Sequence, residues 1–173
     1  MTVLLGGAFD PPHNGHVALA NAVREQLGEP VILVTEDPGH KATAAPAQAR
    51  LELARAAFPG FRVELDPHAR TIDLLRERRF PDPVVVIGAD EYADLPTWKE
   101  PDEVLRLARL AVATRPGFEI AAVRPDRVES FEIEPLPVSS REIRELVAAG
   151  APVDGLVPGP VAGLIRTLGL YVR

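Results

Sequence analysis

The chain has 173 residues, a net charge of −6, 46% hydrophobic residues and no cysteine. That length suffices for a single domain over residues 1–173 with a real core, and the missing cysteines exclude disulfides, thiolate zinc sites and cysteine nucleophiles. The acidic balance speaks against a protein that wraps nucleic acid. The absence of a long uncharged apolar run and of a basic leader after Met1 makes a cytoplasmic protein with no membrane partner the expectation.

Strand-type and helix-type patterns alternate along the chain. Val3–Gly6 is a short apolar strand run. His16–Leu27 has helical apolar spacing and stops at Gly28, a C′ glycine. Val31–Thr35 reads as a second strand, Ala47–Phe58 as a helix ending at Pro59-Gly60, and Arg62–Leu65 as a third strand. Thr71–Arg79 reads as a helix, and Pro83–Gly88 is the clearest buried strand, continuous, β-branched and glycine-terminated. A short helix over Asp102–Leu107, strands over Leu110–Thr114 and Phe131–Ile133, and helices over Ser140–Ala149 and Pro160–Leu168 complete the chain.

Buried-type strands separated by helices predict an α/β fold, a Rossmann-like open parallel sheet with helices on both faces. In such sheets ligands bind outside the carboxyl ends of the strands. Chemistry is therefore expected in Gly7–His16, Glu36–Lys41, Gly88–Lys99 and Thr114–Gly117.

The segment Gly6-Gly7-Ala8-Phe9-Asp10-Pro11-Pro12-His13-Asn14-Gly15-His16 is the most informative of these. Two glycines permit a sharp turn and close ligand approach. Phe9 is expected to plug the loop into the core, and the prolines stiffen it. Free N–H groups and the positive end of a helix attract phosphate there, and His13 and His16 are placed to reach its oxygens. A helix start disfavours added positive charge, so both imidazoles are expected to be neutral until a triphosphate arrives. A metal pair or two incidental surface histidines is the competing reading.

Three further segments carry candidates. Lys41 follows the second strand and reads as a mobile charge for a polyphosphate or as a solvated loop lysine. Gly88 and Asp90 follow the fourth strand; Asp90 reads as a ribose acceptor, a helix N-cap, or both. Trp98, the only tryptophan, presents a flat face for stacking or packs the core. In Ser139-Ser140-Arg141-Glu142-Ile143-Arg144 the serines and Glu142 suit a helix cap. Capping leaves Arg144, a planar fork suited to a multi-oxygen anion, unexplained.

Together these segments resemble the nucleotidylyltransferase superfamily with its His-x-Gly-His element, and within it the bacterial nicotinate mononucleotide adenylyltransferases, from Val3 to Tyr171. The resemblance implies an enzyme that joins ATP to nicotinate mononucleotide and releases deamido-NAD and pyrophosphate, with Mg²⁺ brought by ATP and no metal ligand from the chain. It implies phosphate and catalytic roles for His13, His16, Lys41 and Arg144. It implies ATP contacts by Gly6, Gly7, Ala8, Phe9, His16, Gly88, Asp90, Ser139, Ser140 and Arg144. It implies acceptor contacts by Thr71, Trp98 and Lys99. A homo-oligomer is compatible with it. Transfer to a phosphate needs no side-chain nucleophile, so catalysis is expected to be placement and charge stabilisation.

The chain departs from the family at Ala8, where Thr is usual, and at Arg141, where Thr or Ser is usual and which is expected to add charge beside the phosphates. It departs most at His68-Ala69-Arg70-Thr71-Ile72-Asp73, where a longer Ser-Tyr-Thr-like segment is usual. His68 and Arg70 read equally as replacement anion binders or as surface residues. Alternatives are a relative using nicotinamide mononucleotide or phosphopantetheine, and a catalytically idle nucleotide-binding module. The C-terminal Leu168-Gly169-Leu170-Tyr171 reads as structural.

Overall fold

The computed structural model describes residues 1–39, 42–121 and 124–172. Its β-branched and apolar runs form strands β1 (Thr2–Gly7), β2 (Pro30–Thr35), β3 (Arg62–Asp66), β4 (Pro83–Gly88), β5 (Arg109–Thr114) and β6 (Val128–Glu132). They make one sheet in the order β3-β2-β1-β4-β5-β6, with every neighbouring pair parallel. Leu5 lies between Ile32 and Val86 at its centre.

Strand side chains alternate between the two faces, and the core divides accordingly. Val3, Leu5, Ile32, Val34, Val84 and Val86 pack on one side with α1 (Asn14–Gln26), α2 (Ala47–Ala57) and two later helices. Leu4, Leu33, Val85, Ile87, Leu110 and Val112 pack on the other with Ile72 and Leu75 of α3 (Thr71–Arg78), and with Tyr92 of the short α4 (Ala89–Ala93). A single 3₁₀ turn (Leu95–Thr97) and α5 (Pro101–Leu107) complete that face. The two later helices, α6 (Ser140–Ala148) and α7 (Gly159–Thr167), add Ile143 and Ile165 to the first face.

Three elements differ from expectation. Gly88–Lys99 is not a loop: it holds α4 and the 3₁₀ turn, both too short to show a period. The last strand starts at Val128, not at Phe131, because Val128 and Phe131 are its buried residues and charged or polar ones separate them. The first helix starts two residues before His16, with His13 as N-cap.

The chain leaves β1 towards β2 and β3, then crosses to β4 on the other side. The switch point of the sheet therefore lies between the carboxyl ends of β1 and β4, where such folds open a crevice. Among the described residues no helix is long and apolar enough to cross a membrane.

Candidate active site

β1 runs straight through Gly6 and Gly7. The predicted glycine turn is displaced to Phe9, which carries the positive φ of +48°. Gly6 still leaves open space, since a Cβ there would meet nothing within 4 Å. The Phe9 side chain is buried against Phe58 and His16, as the plug expected of it. Any ligand contact by Phe9 is thereby limited to its backbone.

At the head of α1 the two histidines cap each other. The His16 N–H donates to His13 Nδ1 at 3.4 Å, and the His13 N–H donates to His16 Nδ1 at 3.2 Å. Both Nδ1 atoms act as acceptors, so in each neutral ring the proton sits on Nε2. The rings stack with centroids 3.7 Å apart. The result is a pair of parallel imidazoles, each with a donor edge, at a helix N-terminus. Gly15 permits this packing: a Cβ there would lie 3.0 Å from the His13 ring and 3.3 Å from Val138.

His13 is 8% exposed. Burial, more than the helix end invoked from sequence, lowers its pKa to about 4. The sign of the consequence is fixed: between pH 6.5 and 4 the unfolded chain binds a proton at His13 that the folded chain refuses. The associated stability is complete above about pH 6.5 and is lost as pH falls towards 4. Urea unfolding at pH 7 and pH 5 is expected to show a larger fall in midpoint for the wild type than for His13→Asn, which keeps a capping oxygen without a titrating ring.

Arg144 reaches the same loop from α6: its Nη1 donates to the Asp10 carbonyl at 2.7 Å and lies 4.0 Å from the Asp10 carboxylate. Ser139 is the N-cap of α6 and accepts from the Glu142 N–H at 3.2 Å. The Ser140 hydroxyl donates to the Pro11 carbonyl at 2.7 Å, fastening the helix to the opening loop. Arg141 turns the other way and pairs with Glu145 on an exposed face, so it does not add charge beside the loop. Lys41 lies outside the described residues.

On the opposite side of Gly6–Ala8 opens a cavity of about 470 Å³. Thr71, Trp98 and Lys99 line it together with Gly6, Gly7 and Ala8, so the predicted acceptor residues converge. His13, His16 and Arg144 do not line it. The site thus has two halves that share the end of β1.

Lys99 is tied to Asp73 at 2.8 Å. Gly88 is the N-cap of α4, and its N–H donates to the Glu91 carboxylate at 3.0 Å, so the capping role considered for Asp90 falls to Glu91. Asp90 sits exposed in the first turn of α4.

The cavity also separates His68 from Arg70, both of which line it. His68 is held between Asp66 at 2.7 Å and Glu77 at 2.9 Å. Burial alone would lower its pKa, but the bonds and charges of those carboxylates outweigh burial and raise it. Its charge is thereby matched within the protein. Arg70 pairs with no carboxylate among the described residues; its Nη1 donates to the Ala69 carbonyl and lies against Gly39. Gly39 has φ +59°, and a Cβ there would come within 2.8 Å of that guanidinium.

Two residues missed in the sequence complete the loop. Asp10, which the sequence marks only as part of a Pro-stiffened turn, has a carboxylate that accepts from the Ala44 and Ala45 N–H groups at 2.6 and 3.1 Å. Tyr171 reads in the sequence as a structural tail residue, and its hydroxyl donates to Asp10 at 2.8 Å. Burial and the neighbouring Asp10 push the Tyr171 pKa far above its ordinary range, keeping it a donor.

The cytidylyltransferase-like family model matches residues 4–146. A curated relative from Chlorobium luteolum, named "Probable nicotinate-nucleotide adenylyltransferase", is 36% identical, covering 97% of this chain and 96% of its own length. One from Exiguobacterium sibiricum with the same name is also 36% identical, covering 97% of each chain. The chain belongs to the nicotinate-nucleotide adenylyltransferase family. Solved structures agree on the fold of the family. The nicotinic acid mononucleotide adenylyltransferase of Plasmodium falciparum complexed with NaAD superimposes with a TM-score of 0.78 at 15% identity, covering 98% of this chain and 96% of its own. The same enzyme complexed with APC gives 0.76. The cytidylyltransferase-like match spans both halves of the site, from the opening loop to Arg144.

Proposed function

We propose that this chain catalyses adenylyl transfer from ATP to nicotinate mononucleotide. One observation carries the reading: a tautomer-fixed imidazole pair at the head of α1 and a Trp98-lined cavity flank the same strand end at the switch point. The first half suits a triphosphate and the second a flat acceptor ring.

In this reading an oxygen of the mononucleotide 5′-phosphate attacks the α-phosphorus of ATP in line. A new P–O bond forms, the α–β bridging P–O bond breaks, and pyrophosphate leaves with the electron pair. The acceptor phosphate is already ionised near neutral pH, so no strong base is needed. The Nε2–H groups of His13 and His16, the Arg144 guanidinium and Lys41 supply positive charge and donors to the phosphate oxygens. Backbone N–H groups of Ala8 and Phe9, Gly88, Asp90 and the head of α6 complete the ATP half. Thr71, Trp98 and Lys99 hold the acceptor.

The described residues offer no preformed magnesium cage. Among the described residues no group of three or more His, Asp or Glu side chains could hold a metal ion, and the Asp10 carboxylate in the opening loop is already occupied by two backbone N–H groups and a hydroxyl. Mg²⁺ would arrive with the nucleotide, held by its phosphate oxygens, and would supply positive charge there.

Purified protein with ATP, Mg²⁺ and nicotinate mononucleotide is expected to release pyrophosphate and form deamido-NAD. Release only with phosphopantetheine would assign another acceptor, and no release with any acceptor would favour an idle binding module. Arg70 supplies the acceptor side with a cation that no carboxylate among the described residues neutralises. Arg70→Ala is expected to raise KM for the acceptor about tenfold, the scale of one charge-assisted contact, and to leave KM for ATP unchanged in initial-rate measurements.

A further inference from the structure

Outside the residues already assigned, the strongest cluster is built on Arg50. It lies in α2 and is 1% exposed. A buried arginine ordinarily faces a carboxylate or a ligand. This one spends its donors on backbone carbonyls instead. Nε donates to Ala45 at 3.1 Å, Nη1 to Ala8 and Thr35 at 2.8 Å each, and Nη2 to Glu36 at 2.7 Å. Those carbonyls belong to the opening loop, the end of β2, and both ends of the loop that joins β2 to α2.

The neighbouring Asp10, 4% exposed, is the complement. Its carboxylate binds the Ala44 and Ala45 N–H groups and is held by Tyr171. A buried cation and a buried anion therefore fasten the same two loops through opposite halves of their peptides. In a trans peptide the carbonyl and the following N–H point in opposite directions. Drawing the Ala8 and Glu36 carbonyls towards Arg50 turns the N–H groups of Phe9 and Asp37 away from α2. Both follow strands whose carboxyl ends border the crevice.

We propose that Arg50, with Asp10 and Tyr171, is a positioning device that sets the spacing of the opening loop and the loop after β2 and aims the backbone N–H groups of Phe9 and Asp37 at the triphosphate. The proposal rests on the adenylyltransferase reading. Arg50 touches no substrate; it acts through the peptides it holds. A lysine can keep its charge but cannot hold four carbonyls at once.

The test measures ATP affinity by calorimetry, acceptor affinity by Trp98 fluorescence, and kcat, at a temperature where each variant is folded by circular dichroism. Arg50→Met is expected to weaken ATP binding about tenfold or more and to lower kcat on the order of 10²-fold, the scale of a small misplacement of reacting groups. Acceptor affinity is expected to fall less than ATP affinity, since only the edges of these segments, Ala8, Thr35 and Pro38, line the cavity. Arg50→Lys is expected to recover little of the loss. A folded Arg50→Met or Arg50→Lys protein with wild-type ATP affinity and kcat, altered only in Tm, would overturn the proposal. Should neither fold, Tyr171→Phe decides: a loss of ATP affinity of about threefold to tenfold, the scale of one hydrogen bond, is expected, and an unchanged affinity overturns it. A wild type that binds ATP yet forms no dinucleotide would defeat the functional reading while leaving the ATP comparison valid.

Discussion

His16→Ala is expected to lower kcat by about 10²- to 10³-fold while the fold survives. His16 occupies the third position of α1 and takes part in the cap, so its loss costs one hydrogen bond to the His13 N–H. Helix caps are worth about 1 kcal/mol, and this cap retains the His16 N–H to His13 bond. In the proposed reaction the larger loss is a preorganised donor to the phosphate oxygens. Removing such a donor costs about 3–4 kcal/mol of transition-state stabilisation. Stopped-flow or steady-state pyrophosphate release on a folded variant measures it. A near-wild-type rate would remove His16 from the mechanism. His16→Asn, which keeps a short polar side chain near the cap, is expected to recover stability and not rate.

The second large effect falls on the other half of the site. Trp98→Ala is expected to raise KM for the acceptor about 10- to 100-fold and to leave KM for ATP within twofold. A base-like ring stacked on an aromatic side chain contributes about 1–3 kcal/mol, and Trp98 lines the cavity without being fully buried. Trp98→Phe keeps a smaller π-face and is expected to recover part of the loss. Because Trp98 is the only tryptophan, its fluorescence reports acceptor binding directly. Quenching by nicotinate mononucleotide without ATP is expected, and a Trp98→Ala protein with unchanged acceptor KM would return Trp98 to a packing role.

The two predictions separate because the histidines and Trp98 lie on opposite sides of Gly6–Ala8. That division was partly legible in the residues. The apolar runs before Gly6 and through Pro83–Gly88 are strands buried on both faces, and a short, unbroken, β-branched run of that kind is visible without coordinates. The His13 and His16 spacing likewise placed both rings at one helix start.

What tertiary contact decides was less accessible. The charge state of His68 depends on Glu77, nine residues away on the outer side of α3, so an unpaired reading of His68 was open until the two met. Arg141 and Arg144 differ by three residues on α6, yet one faces Glu145 and the other Asp10. Nothing local marks which arginine meets the opening loop.

Arg50 did leave a signal. It falls on the stripe of α2 that includes Leu53, Ala54 and Ala57, at helical spacing, where an apolar residue belongs. A charged residue on a buried stripe needs partners. Its partners are carbonyls from three separate segments, which no pairwise spacing reveals. Tyr171 is the opposite case: a tail residue whose role depends on the last helix delivering it to Asp10.

The most direct measurement of the account is a competition. Protein, Mg²⁺ and limiting ATP are mixed with equal concentrations of nicotinate mononucleotide and nicotinamide mononucleotide, and the dinucleotide products are separated by mass. Deamido-NAD is expected to predominate and to form in step with pyrophosphate. Predominant NAD, or consumption of neither acceptor, would contradict it.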